Sequence, residues 1–182
     1  VGKGLSGGKI IVQPRNSFTQ PSHENVIIGN VTLYGATDGR LYASGQAGDR
    51  FCVRNSGALA IVEGCGANGC EYMTGGSAII LGDVGDNFGA GMTGGSAFIY
   101  SEQKNISDLM NMETIGLYEV DNKEWKNHLL DLLKDFYKET KSKRAEFIIE
   151  NYDSEIKKFA HVVPDEVIDK LEFPVTKKSK IA

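Results

Sequence analysis

The chain has 182 residues, a formal net charge of −4, and 41% hydrophobic and 24% charged residues, which is typical of a globular protein. Its acidic balance argues against nucleic acid or an anionic membrane surface as the main partner, and no apolar run approaches the roughly 20 residues of a membrane-spanning helix. Three scattered cysteines, an odd number, indicate reduced thiols and predict a cytoplasmic protein rather than a disulfide-stapled secreted module.

The content of glycine and of charged residues changes near Ser101. Of the 22 glycines, 21 lie at or before Gly95, whereas 31 charged side chains follow residue 100 and only 13 precede it. This change in composition predicts two domains, a glycine-rich one at 1–120 and a charged one at 121–182.

Short apolar or β-branched runs, each closed by Gly, Asn or Asp, predict strands in the first hundred residues. Interior glycines lower helix propensity there by about 1 kcal/mol each, so no helices are expected between the strands. The predicted strands are KIIVQ (9–13), VTLY (31–34), RLYAS (40–44), FCVR (51–54), ALAIVE (58–63), AIIL (78–81) and AFIY (97–100).

A period of 19 residues links these segments. MTGGSA at 73–78 returns at 92–97, and the same shift places Ile79 above Ala60 and Ile80 above Ile61. One such coil cannot bury its own inward face, so stacked coils are needed to cover it. The repeat therefore predicts a mainly β fold, a right-handed parallel β-helix. Glycines are expected at its corners, where the chain turns with positive φ and passes close to a neighbouring coil: Gly45, Gly57, Gly64, Gly76 and Gly95.

The segment after Ser101 is patterned for a last strand and then helices. TIGLYEV (114–120) predicts the strand, and Asp121 is a suitable N-cap for the helix that follows it. Further helices are expected at 143–152 and 154–159, with Pro164 at the first position of another. We therefore expect a helical extension that packs on the β-helix as a cap. The apolar face of its first helix comprises Trp125, Leu129, Leu130, Leu133 and Phe136.

Three patterns were candidates for chemistry. Residues 64–69 match G-x-G-x-x-G after a strand, but two glycines soon follow, so glycines at coil corners are favoured over a dinucleotide-binding turn. Cys52, Cys65 and Cys70 lack a fourth ligand for a metal or iron–sulfur site. Glu63 and Glu71 form a pair of carboxylates without a nearby histidine or nucleophile. No catalytic, cofactor-binding or metal-binding residue is therefore predicted in this chain.

Four segments together resemble the GXGXG domain, the C-terminal domain of the large (alpha) subunit of glutamate synthase. They are GNVTLYGAT (29–37), AGDRFCVRNSGA (47–58), GCEYMTGG (69–76) and the later IIENYDSEIKKFAHVVPDEV (148–167). The resemblance covers nearly the whole chain. One departure is Ala67-Asn68, where the family often has Asp-His, so any role of that pair is not transferred.

The resemblance implies a non-catalytic structural domain or subunit of a glutamate-synthase-type enzyme. Such enzymes are oxidoreductases of nitrogen metabolism that make glutamate from glutamine and 2-oxoglutarate. The expected partners are the glutamine amidotransferase domain and the synthase domain, and FMN and an iron–sulfur cluster are expected in the latter. Two alternatives remain open. The first is a stand-alone enzyme with an unknown site. The second is a stand-alone β-solenoid module for binding or assembly, as in a formylmethanofuran-dehydrogenase-like subunit, and such a module could form a homo-oligomer.

One corner of the predicted β-helix is the expected partner-facing surface. The residues assigned to it are Arg54, Asn55, Glu63, Cys70, Glu71 and Tyr72.

Overall fold

The computed structural model describes residues 1–102 and 105–175. The first hundred residues contain the strands β1 (Ser6–Val12), β2 (Val26–Ile28), β3 (Asp38–Ala43), β4 (Gln46–Ala47), β5 (Ser56–Val62), β6 (Thr74–Ile80) and β7 (Gly94–Tyr100). The remainder contributes β8 (Ile115–Glu119), α1 (Lys123–Thr140), α2 (Lys143–Glu150), α3 (Tyr152–Glu155) and β9 (Phe159–Pro164). Short 3-10 helices lie at Ser22–Glu24, Ile106–Leu109, Ile156–Lys158 and Asp165–Lys170.

The main sheet has seven strands in the order β1-β3-β5-β6-β7-β9-β8, and its first five are parallel. Arg40 pairs with Leu59, Leu59 with Ser77, and Ser77 with Ser96, so each coil returns after 18 or 19 residues. A second, shorter face is formed by β2, β4 and the bridges from Ala47 to Cys65 and from Cys65 to Val84. The predicted parallel β-solenoid with coils of about 19 residues, followed by helices, is confirmed.

The predicted register between β5 and β6 is wrong by one residue. Ala60 pairs with Ala78, and Ile61 pairs with Ile79, because an irregularity between Ser56 and Leu59 shortens the repeat to 18 at this point. Side chains alternate between the faces of a strand, so a one-residue slip exchanges the two faces. The alanine column thus lines the interior of the solenoid, while Ile61 and Ile79 pack beneath the helices.

VTLY (31–34) and FCVR (51–54) were predicted as strands, but they form corners. In each coil, every second residue of the corner has a left-handed φ, as at Arg50, Cys52 and Arg54. These residues donate backbone hydrogen bonds to both neighbouring coils: Arg50 N to Ala67 O at 2.8 Å and Cys52 N to Thr32 O at 2.9 Å. Stacking of the coils therefore overrides the strand propensity of these residues.

The C-terminal segment also contains a strand that the sequence analysis missed. Helix was predicted for 154–159, but helical structure ends at Lys158, and Phe159–Pro164 forms β9, antiparallel between β7 and β8. This strand covers the open edge of the last coil, where unpaired backbone groups would otherwise be exposed. The last strand predicted from TIGLYEV is present as β8, antiparallel to β9. Pro164 is the last residue of β9 and the N-cap of the 3-10 helix Asp165–Lys170, so it lies one position before the first helical position that was predicted for it.

Helix α1 lies on the outer face of the sheet. Its N-cap is Asn122, not Asp121 as predicted, because the Asn122 side chain accepts a hydrogen bond from Trp125 N. Its buried residues are Trp125, Leu129, Leu133, Phe136 and Thr140. The structure therefore has two apolar clusters, one inside the solenoid and one between the sheet and the helices.

The domain boundary between 1–120 and 121–182 stays a prediction, and residues 176–182 of the second domain lie outside the described part. Across residues 1–102 and 105–175, no helix is both long enough and apolar enough to span a membrane.

Candidate functional site

Three of the six residues predicted to face a partner meet on one corner of the solenoid. Arg54 and Tyr72 occupy the same left-handed position in adjacent coils, and Arg54 N donates a hydrogen bond to Glu71 O at 2.9 Å. Tyr72 is 53% exposed, and its ring extends over Gly91 of the next coil, where an added Cβ would lie 2.6 Å from a ring atom. Arginine and tyrosine are the side chains most often found at the centre of protein interfaces. We call Arg54, Glu71 and Tyr72 the corner patch.

Asn55 and Cys70 lie behind this surface. The buried Asn55 side chain accepts a hydrogen bond from Ala58 N and donates one to Ala58 O, both at 2.9 Å, and so shapes the turn before β5. Cys70 is also fully buried. The hydrogen bond with Cys52, together with burial, raises the pKa of the Cys70 thiol well above its ordinary value. Cys70 is therefore held as a neutral thiol, which is a poor nucleophile and a poor metal ligand.

Glu63 lies on the other side of the sheet and joins the solenoid to the helices. It is fully buried, and its Oε1 accepts hydrogen bonds from Ser44 Oγ at 3.1 Å and Ser142 Oγ at 2.5 Å. Ser142 is the N-cap of α2 and accepts a hydrogen bond from Ala145 N. One carboxylate thus connects two successive coils with the start of a helix, a position that favours negative charge.

The five glycines predicted at coil corners differ in why glycine is needed: some have a positive φ, and at others a side chain lacks space. Gly45, Gly76 and Gly95 have a positive φ, whereas Gly57 and Gly64 do not. At Gly57 the restriction is space, because an added Cβ would lie 2.1 Å from Thr37 O of the preceding coil. No side chain larger than hydrogen fits there without moving the backbone.

Residues 64–69 do not form a dinucleotide-binding turn. The chain continues from Gly69 through the left-handed residues Cys70 and Tyr72 directly into β6, so no helix presents its N-terminus to a phosphate. Cys52, Cys65 and Cys70 are free and buried. Within the described ranges, no group of three or more His, Cys, Asp or Glu side chains is arranged to hold a metal ion. The residues present therefore do not fit an iron–sulfur cluster.

A polar cluster near the end of β7 was not predicted. The Tyr100 hydroxyl donates a hydrogen bond to Glu155, Lys158 Nζ donates to Glu155 Oε2 at 2.7 Å, and the Arg144 guanidinium lies 4.7 Å from the centre of the Tyr100 ring. Burial alone would raise the pKa of Glu155, but the hydrogen bonds from Lys158 and Tyr100 lower it below its ordinary value. The cluster fastens α2 and α3 to the last parallel coil.

His161 in β9 is a second buried polar residue that the sequence analysis missed. Its ring stacks on Phe98 with 4.1 Å between centroids and meets the edge of Trp125 at 4.7 Å. Neither ring nitrogen has a hydrogen-bond partner among the described residues. Burial, with a smaller contribution from His128, lowers the pKa of His161 to about 3, so the ring is neutral at pH 7. No motif in the sequence distinguishes this histidine from an exposed one.

Comparison with known proteins gives a consistent family assignment. The chain is 50% identical over 175 residues to the glutamate synthase [NADPH] large chain of Azospirillum brasilense, a match that covers 96% of this chain and 12% of that protein. It is 47% identical to the corresponding large chain of Bacillus subtilis, over 90% of this chain and 11% of the relative. With the glutamate synthase [NADH] of Schizosaccharomyces pombe, identity is 44% over 99% of this chain and 8% of the relative.

The chain thus spans about an eighth or less of the length of these relatives. The model of the GXGXG motif family matches residues 1–165, which is most of the chain. The predicted resemblance is confirmed, and the chain belongs to the GXGXG motif family.

Proposed function

We propose that this chain is a structural component of a glutamate-synthase-type enzyme and positions the glutamine amidotransferase and FMN-binding synthase domains relative to each other. The observation that carries the proposal is 50% identity over 96% of the chain to a glutamate synthase large chain, of which the chain spans only 12%. Under this proposal FMN and the iron–sulfur cluster belong to the synthase domain, and the chain itself performs no chemical step.

The fold supports a positioning role because hydrogen bonds hold its strands and helices together. Five parallel strands form one continuous ladder, and β9 and β8 extend the same sheet at its end. Glu63 and the cluster around Tyr100 then fix the helices to that sheet. A stiff element that holds two active sites in register shortens the path of a reactive intermediate such as ammonia and limits its loss to water.

The corner patch is the surface that we propose contacts a neighbouring domain. Tyr72 supplies exposed aromatic area on a backbone fixed by inter-coil hydrogen bonds, and Arg54 supplies a cation beside it. A rigid aromatic anchor loses little conformational entropy on binding, which favours affinity. We further propose that residues 1–120 form the domain that carries this surface and that residues 121–182 form a C-terminal extension packed on that domain. The cytoplasmic location predicted from the free thiols stays a prediction.

The test uses the parent enzyme that contains this domain, with Tyr72→Ala and Arg54→Ala changes. We expect glutamine-dependent glutamate formation to fall while glutaminase activity and ammonia-dependent glutamate formation are retained, because only the coupling between the two sites is lost. Arg50→Ala, at an exposed corner position of the same coil as Arg54, is the matched control. Glutaminase activity or 2-oxoglutarate-dependent NADPH oxidation by the purified 182-residue chain alone would overturn the proposal.

The free edge of strand β1 favours a second candidate function, that of a solenoid that assembles with copies of itself. Strand β1 is the outermost strand, and in the described part of the chain no strand lies on its other side. Open strand edges pair readily with a second chain. Sedimentation at several concentrations distinguishes the two candidates, because a homo-oligomer grows with concentration whereas a monomer that docks to other domains does not.

A further inference from the structure

The first coil of the solenoid is longer than the others. Lys9 of β1 pairs with Arg40 of β3, 31 residues later, whereas Arg40 pairs with Leu59 after 19. The additional residues form a loop at 13–25 between β1 and β2. This loop and the start of β2 enclose a pocket of about 360 Å³, which lies within the size range of small-molecule sites.

The loop is held in place by hydrogen bonds to the next coil. The Gln46 side chain donates to His23 O and the Gln46 backbone N donates to Asn25 O, both at 2.8 Å. Within the loop, the Asn25 side chain donates to Pro21 O at 2.8 Å. The pocket is therefore formed before any ligand arrives, which lowers the entropy that binding costs.

One side of the pocket is apolar and accessible. Pro14, Phe18, Val26 and Ile27 line it, and Phe18 and Val26 keep 43% and 63% of their surface exposed. Single exposed apolar residues are ordinary, but two that line the same preformed concavity provide a surface for the apolar part of a ligand.

Three side chains that line the pocket carry hydrogen-bond donors that are open to solvent or to a ligand. Arg15 and Ser17 are exposed and Ser22 is half-buried, and none of the three side chains has a hydrogen-bond or ion-pair partner among the described residues. Among the described residues, no acidic side chain lines the pocket. An uncompensated guanidinium beside two free hydroxyls is suited to an anion, and a carboxylate matches the two-pronged geometry of arginine.

Ser44, a buried residue, also lines the pocket. Its hydroxyl already donates to Glu63, so it offers only lone pairs to a ligand, which disfavours an anionic group beside it. We propose that this pocket binds a small organic carboxylate with an apolar body, with the carboxylate at Arg15 and the apolar body along Phe18. The inference does not depend on the proposed function.

The test uses phenylacetate as the probe and its neutral isostere phenylacetamide as the comparison, titrated into the 182-residue chain and followed by backbone amide NMR. We expect shifts confined to the pocket loop and its neighbours, and affinity for the acid about fivefold or more above that for the amide, because one charge-assisted interaction is lost in the amide. Arg15→Gln should abolish this preference, whereas Arg50→Gln, at an exposed arginine elsewhere on the solenoid, should retain it.

Each contrary result overturns the proposal. Equal affinity for the acid and the amide would show that the pocket binds apolar groups without a carboxylate site. A preference that survives in Arg15→Gln, or shifts that occur elsewhere on the surface, would place the anion outside this pocket. Absence of shifts up to the solubility limit of phenylacetate would exclude the site.

Discussion

Acidification below about pH 6.5 should destabilise this protein through His161. The His161 ring is fully buried between Phe98 and Trp125, and burial lowers its pKa to about 3, against 6.5 for an ordinary histidine. The unfolded chain therefore takes up a proton as the pH falls through 6.5, while the folded chain does not. The stability that the neutral ring provides is fully present above pH 6.5 and is lost as the pH falls toward 3.

The size of the effect follows from the two pKa values. Proton linkage predicts a loss of about 2 kcal/mol in the free energy of unfolding between pH 8 and pH 5, rising to about 4 kcal/mol at pH 3. The pKa values of Glu102, Asp135 and Glu155 are lowered from their ordinary values, so these groups stay ionised in the folded state between pH 5 and pH 8. These three carboxylates therefore do not account for a loss of stability in that window.

Urea unfolding at pH 8, 6 and 5 measures this loss. The fluorescence of Trp125, the single tryptophan of the chain, reports on the same cluster because its ring contacts His161. His161→Phe is the control variant, since a phenyl ring fills a similar volume and does not titrate. We expect its stability to be nearly constant over this range. The reasoning is refuted if the wild type loses less than about 0.5 kcal/mol, or if His161→Phe loses as much as the wild type.

Two further predictions concern stability, measured by urea unfolding at pH 7.5. Glu63→Ala should lower the free energy of unfolding by about 3 kcal/mol, because two buried hydroxyls lose their acceptor. Glu71→Ala, the control at a half-buried position, should lower it by less than about 0.5 kcal/mol. Similar losses from the two changes would contradict an anchoring role for Glu63. Gly57→Ala should cost at least about 2 kcal/mol, because the added Cβ would lie 2.1 Å from a backbone oxygen, whereas Gly29→Ala, with no atom within 4 Å, should be nearly neutral. A stable Gly57→Ala variant would disprove the spatial restriction.

The repeating pattern of the sequence was sufficient to predict the solenoid. A short period with glycine at regular places allows few folds, because each coil can bury its apolar face only against the next coil. The apolar spacing of Trp125, Leu129 and Phe136 likewise determines which side of α1 faces the sheet. These features depend on residues close together in the sequence, so local patterns are informative about them.

Contacts between coils decided the features of the fold that local sequence patterns did not predict. The left-handed corner at FCVR depends on hydrogen bonds from Arg50 and Cys52 to two different coils, and no propensity of the segment itself reveals them. The exact register of Ile79 likewise depends on an irregularity in β5 that shortens one repeat by a residue. In both cases the stacked backbone of the neighbouring coils selects the conformation, against or independently of local propensity.

The candidate site was predictable only in part for the same reason. Arg54, Glu71 and Tyr72 come together because the period places them on adjacent coils. Glu63 is an internal anchor because Ser142, 79 residues later, brings a helix N-terminus to its carboxylate. The sequence by itself determined that the coils stack, because a short repeat leaves each coil with an apolar face that only a neighbouring coil covers. Only the tertiary structure decided which polar side chains are buried, because burial depends on distant segments that fold over them.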